Sequence, residues 1–152
     1  MDNKKERKTP KKFGMKYYYF LIYFALYAGA ATNLIFALLY SIGKAYKGAT
    51  LVHEVYPWIA LIDSLYSFVL IALAIFAVYV RSALANYKKT APKLIVLLHL
   101  LSGLGGLAYL IAVDEAANVD VGVGSVVVIL VSVVRVIIDG IYLRRRASLF
   151  GR

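Results

Sequence analysis

Cysteine is absent from this chain. That excludes disulfides, thiolate zinc sites, thioether-linked haem and membrane thiol–disulfide exchange. Charge is scarce as well: 17% of the residues are Asp, Glu, Lys or Arg, against about one quarter in soluble domains. The shortage is uneven, with 8 acids facing 18 bases, a formal charge of +10. Catalytic signatures are missing too. There is no metalloprotease helix, no nucleophile elbow and no pair of acids at catalytic spacing. The Gly103-Leu104-Gly105-Gly106 run has no strand or P-loop lysine beside it and is not a phosphate loop. His53 and Glu54 are adjacent, but a metal needs three or four converging ligands. The expectation is a chain with no enzymatic activity, no cofactor and no metal.

What fills the 152 residues is apolar side chains, 62% of the total. A soluble domain of this size would have far too little polar surface. The apolar residues fall into four long blocks at 17–40, 57–80, 94–113 and 123–143. Each is about the length that crosses a hydrocarbon core as a helix. An all-α, multi-pass membrane protein of one domain is predicted, with an up-down bundle of four helices over 17–143. A signal peptide is the competing reading of the start, where Ala28-Gly29-Ala30 resembles a cleavage site. The apolar run continues about ten residues past that tripeptide, too far for a cleaved leader.

The bases orient these spans. Seven lie in residues 1–16, read as a disordered tail, four in the second loop, Arg81 to Lys93, and four in the tail 144–152. The first loop, Ser41 to Tyr56, holds Lys44 and Lys47, and the third, Asp114 to Gly122, holds acids only. Basic residues collect on the cytoplasmic side, so both termini are predicted cytoplasmic. The same bases favour anionic lipid headgroups as partners and remove the need to invoke nucleic acid. So strong a bias also argues against a dual-topology exporter. Tyr17, Tyr18 and Tyr19 at one face, and Tyr56 and Trp58 at the other, sit where aromatic belts belong.

Each span carries one stripe of small or polar residues at helical spacing. Ala25, Gly29, Asn33 and Ala37 mark the first, and Asp63 and Ser67 the second. His99, Ser102, Gly103 and Gly106 mark the third, and Ser125, Ser132, Arg135, Asp139 and Gly140 the fourth. Small residues let membrane helices approach and polar ones bond across the contact, so Ala25, Gly29, Gly103 and Gly106 are predicted packing positions. Ionisable groups inside such segments are costly and must face protein or water. At about 1.5 Å of rise per residue they sort into two layers. Asn33 and Asp63 form a predicted outer pair, and His99, Arg135 and Asp139 a predicted inner cluster. Arg135 and Asp139 are one turn apart and expected to neutralise each other. Asp139, near a helix C-terminus, wants a further donor, and His99 is the first candidate.

Three stretches, TPKKFGMKYYYFLIYFALYAGA, VYPWIALIDSLY and YKKTAPKLI, resemble an uncharacterised family of small bacterial four-span membrane proteins. Some members are thought to carry a cysteine zinc ribbon before the first span, which this chain lacks. The resemblance implies a bacterial cytoplasmic membrane and assigns no residue a role. The leading expectation is a non-enzymatic scaffold, accessory or regulatory subunit, a homo-oligomer or the partner of another membrane protein. The alternative is a small oligomeric transporter or channel working through its intramembrane Asp, His and Arg groups. A lipid- or quinone-modifying enzyme using His99 and Asp139 is the third reading. No internal repeat of the kind that marks inverted-repeat transporters is visible.

Overall fold

The protein is described by a computed structural model over residues 15–118 and 122–150. Among these residues every regular element is a helix. Helix α1 is Met15–Ser41, with a π-helical stretch at Leu21–Ala25. A short α2, Ala49–Val55, precedes α3, Pro57–Ala85. Helix α4 is Ala91–Ala117, α5 is Gly122–Arg144, and Ala147–Leu149 forms one 3₁₀ turn. Helices α1, α3, α4 and α5 are long and apolar enough to cross a membrane. The tail predicted over 1–16 lies outside the described residues except for Met15 and Lys16, which open α1.

The four long helices overrun their predicted limits, because hydropathy stops at the apolar edge whereas the helical ladder runs on to a cap. Helix α3 continues past Val80 to Ala85 and ends where Tyr87 N–H meets the Leu84 carbonyl and Lys88 N–H the Ala83 carbonyl. That is a Schellman closure with tyrosine, at φ 50°, in the position usually held by glycine. Tyr87 stacks on Tyr18, with ring centroids 5.7 Å apart, which offsets part of the left-handed cost. Pro92 lies in the first turn of α4, where its missing N–H costs nothing. The far end of α4 reaches Ala117 in what was expected to be loop, and Asn118 caps it at φ 53°. The expected first loop contains α2. Gly43 (φ 64°) and Gly48 (φ 79°) turn the chain before it in left-handed conformations that favour glycine.

Successive long helices pack against one another and alternate in direction. Tyr18, near the start of α1, donates from its hydroxyl to the Leu84 carbonyl at the end of α3 (2.5 Å). Tyr40, at the end of α1, meets Tyr66 early in α3 and Tyr109 late in α4. Of the buried residues of early α1, Tyr18, Ile22, Leu26 and Ala30 recur every four positions, with Leu21 beside them. A plain α-helix drifts about 40° per such step. The wider π turn at Leu21–Ala25 recovers part of that drift and keeps Tyr18 and Ala30 facing inward. The core gathers at the Tyr18 end: Val80 and Leu84 of α3, Ala91 and Ile95 of α4, and Leu143 of α5 are fully enclosed. Helix α5 touches this core mainly through Leu143 and otherwise follows α4.

Glycine positions separate close packing from open space. A Cβ on Gly103 would lie 2.5 Å from Ser132 Oγ and 2.8 Å from its Cβ, so α4 and α5 are in near-backbone contact there. Gly106 meets Val128 at 3.3 Å. Ala25 packs against the core. Gly29 departs from the expectation: nothing lies within 4 Å of its Cβ position, so it is no packing residue in this chain. Gly103→Ala is expected to destabilise the fold by about 1–3 kcal/mol through overpacking. Gly29→Ala is expected to leave it unchanged or raise it by up to about 1 kcal/mol. Thermal unfolding of the two variants in detergent measures the contrast.

Candidate functional site

Two polar junctions occupy opposite ends of the helix bundle. At the Tyr17 end, Asp139 of α5 is 3% exposed. One of its carboxylate oxygens accepts from the Tyr17 hydroxyl (2.5 Å) and the other from His99 Nε2 (2.7 Å). Three helices, α1, α4 and α5, therefore meet on one carboxylate. The ring of Tyr17 stands edge-on to Tyr142, 4.7 Å away, and the Tyr142 hydroxyl accepts from the Tyr18 backbone N–H. Arg146 lies over the Tyr142 face at 3.8 Å, a favourable place for a guanidinium.

At the other end Asp63 of α3 is wholly buried. Its Oδ2 accepts from His53 Nε2 (2.9 Å) and the Tyr46 hydroxyl (3.1 Å), and its Oδ1 from the Tyr109 hydroxyl (3.0 Å). This ties α2, the turn before it and α4 to α3. The His53 ring packs over Gly43, where a Cβ would approach it to 3.3 Å. Tyr66 stacks on Tyr109 at 4.3 Å and Tyr40 closes the cluster edge-on. The Tyr46 hydroxyl is pushed up to about 12, first by burial and then by the charge and hydrogen bond of Asp63. Its bond to Asp63 is thus fully present below the ordinary tyrosine value of 10.0 and is lost as pH rises through about 12.

Between the junctions α1 and α5 diverge. A cleft of about 470 Å³ opens there, lined by Tyr17, Gly29, Thr32, Asn33, His99, Arg135 and Asp139, with Phe20 and Phe24 on its wall. A second cavity of about 320 Å³, between Tyr66, Ser102, Gly106 and Ser132, shares His99 and Arg135 with it. A small space of about 90 Å³ beside Asn33, His99, Ser102 and Arg135 adjoins both. His99 and Arg135 thus line all three spaces.

The predicted inner cluster is brought together, though not with the predicted bonds. Arg135 and Asp139 form no salt bridge. Among the described residues the histidine partners of the two aspartates are His53 for Asp63 and His99 for Asp139. Tyr17 and His99, on neighbouring helices, give each Asp139 oxygen a donor, and Arg135 turns into the cleft, where it is exposed. The predicted outer pair is not formed either. Asn33 lines the cleft beside His99 and Arg135, whereas Asp63 finds its donors in the loop and on α4. The position of Asn33 along α1 had suggested the outer layer, but its azimuth points it elsewhere.

Sequence reasoning missed the tyrosines. Tyr17 looks in the sequence like part of an interfacial belt, and Tyr46 and Tyr109 carry no sequence signal. Tyr109 lies three residues after Gly106 on the stripe that holds His99 and Gly103, the one hint available. No known family, no curated protein and no solved structure matches this chain, so residue roles rest on geometry.

Removing one member of a buried ion pair leaves the other uncompensated and costs about 3–5 kcal/mol, whereas replacing the whole group by apolar residues is near neutral. His99→Ala is accordingly expected to lower stability by an amount of that order. The combined change Tyr17→Phe, His99→Leu and Asp139→Leu is expected to recover most of it. Unfolding in detergent, followed by circular dichroism, checks the ranking.

Proposed function

We propose that this chain is a four-pass protein of a bacterial cytoplasmic membrane, an up-down bundle with both termini cytoplasmic, serving as a non-enzymatic accessory or regulatory subunit. The membrane setting is supported by the apolar surface that the helices turn outward. Leu34, Ile35, Leu65, Phe68, Leu104, Ile111, Leu130 and Ile137 are all exposed, and soluble monomers rarely present so continuous an apolar face. Orientation follows from the bases of the tails and second loop, which also recruit anionic lipid headgroups. The resemblance of its three quoted stretches to small bacterial four-span proteins supports the bacterial part of this reading.

One observation carries the functional reading: every carboxylate oxygen of Asp63 and Asp139 is occupied by donors of this same chain. Such groups fasten helices together and hold register. Arg135, meanwhile, sets a fixed positive charge in the region between the two junctions, and such a charge opposes cation passage. The second reading, a small oligomeric transporter, is favoured by the adjoining cavities of about 470 and 320 Å³.

The lack of cysteine makes single-site labelling clean. In intact cells an impermeant maleimide is expected to label Lys47→Cys, and Ser148→Cys only after permeabilisation; the reverse pattern defeats the orientation. In proteoliposomes the wild-type chain is expected to dissipate a pH gradient or a membrane potential no faster than empty vesicles. Faster flux that disappears with Arg135→Met or Asp139→Asn would establish the transporter reading instead.

A further inference from the structure

Three features that the chain itself leaves unused line the same cleft. The Arg135 guanidinium makes no hydrogen bond or salt bridge among the described residues and is exposed. It has five N–H donors and no acceptor function. Asn33 is half-buried and makes no hydrogen bond among the described residues. Gly29, one turn before Asn33, has only open space at its Cβ position. From these we infer that the cleft between α1 and α5 receives a transmembrane helix of another protein, carrying an Asp or Glu whose carboxylate pairs with Arg135. This rests on the reading of the chain as an accessory membrane subunit and names its partner's chemistry.

Depth selects the occupant. Arg135 lies nine residues before Arg144 and thirteen after Gly122, about 14 Å and 20 Å along the helix axis. In a hydrocarbon core of about 30 Å that is near the middle, far from the phosphates of either leaflet. An acceptor at that depth must arrive on a segment that crosses the membrane itself. Polar groups held there pair with one another, and a carboxylate matches a guanidinium with two parallel bonds.

A second copy of this chain does not supply it. Among the described residues Asp63 and Asp139 are 0% and 3% exposed, with a donor of this chain on each oxygen, and Glu54 lies in α2, at the Asp63 end. Asp114 and Glu115 lie in the last turn of α4, at the other end of the bundle from Tyr17. Gly29 lets the visiting backbone approach α1 closely, as small residues do at membrane-helix contacts. Asn33 then bonds to it from the side.

The test uses the full chain in vesicles of zwitterionic lipid, with a fluorescent single-span Leu/Ala peptide bearing one central Glu as the probe and its Gln counterpart as control. Energy transfer reports association. The Glu probe is expected to bind wild type at least about fivefold more tightly than the Gln probe, the range of an interhelical polar contact. Arg135→Met is expected to abolish that preference and Arg135→Lys to keep part of it. In the charge-reversed pair, Arg135→Glu with a Lys-bearing probe, the preference is expected to return. Monodispersity and circular dichroism verify that each variant is folded, and the reversed pair decides should Arg135→Met fail to fold. Equal binding of Glu and Gln probes to wild type overturns the inference. So does self-association of the chain that depends on Arg135, or loss of the preference on adding phosphatidylglycerol, which would make lipid the occupant. Ion flux through vesicles without probe would instead defeat the accessory-subunit reading, so the two failures are distinct.

Discussion

Asp139 accepting from Tyr17 and His99 is the contact on which the arrangement depends. In the bilayer setting proposed for this chain, apolar side chains gain nothing by leaving lipid for one another. Helices then associate through close packing and through hydrogen bonds. Helix α5 packs along α4, at Gly103 and Gly106 among other positions, and into the core through Leu143, while its link to α1 is the Tyr17 hydroxyl together with the Tyr142 ring and hydroxyl. One carboxylate thus closes the bundle at one end and leaves it parted above. The cleft beside Arg135 opens where α1 and α5 are fastened only at the Tyr17 end.

The opposite end is solved differently. Asp63 gathers donors from a loop tyrosine, a loop-helix histidine and a tyrosine of α4. The junction therefore anchors the connection between α1 and α3 as well as joining α3 to α4. Each end pairs one aspartate with one histidine and adds tyrosine hydroxyls, which supply donors without adding charge. Neutral donors suit a low-dielectric interior, where the desolvation of a further ion would be costly. The same economy explains why Arg135 is not the partner of Asp139: tyrosine and histidine satisfy the carboxylate from helices that already pack nearby.

Much of this was legible in the sequence. The four long helices follow from hydropathy and length alone, and their ends were displaced only where caps such as Tyr87 and Asn118 extend the ladder beyond the apolar edge. Gly103 and Gly106 were recognisable as contact positions from spacing. The meeting of His99 with Asp139 was foreseen from the need of a carboxylate near a helix C-terminus for another donor. What spacing along a helix does not give is azimuth relative to neighbours. Asn33 and Gly29 belong to a plausible stripe, yet these two face the cleft while Ala25 and Ala37 of the same stripe pack inward. Tyrosines at the ends of membrane-length helices look like interfacial anchors whether they face lipid or, as Tyr17 and Tyr18 do, the interior. Helix α2 was illegible because seven residues between Gly48 and Tyr56 are too few for a period to show.

The central claim is that Asp139 is committed to His99 and not to the arginine one turn before it. Double-mutant cycles on unfolding in lipid or detergent measure this directly, using His99→Gln, Arg135→Met and Asp139→Asn. The account predicts a His99–Asp139 coupling energy clearly larger than the Arg135–Asp139 coupling. A larger coupling between Arg135 and Asp139 would contradict it, for the guanidinium would then be the true partner of the carboxylate and the cleft would hold no unpaired donor.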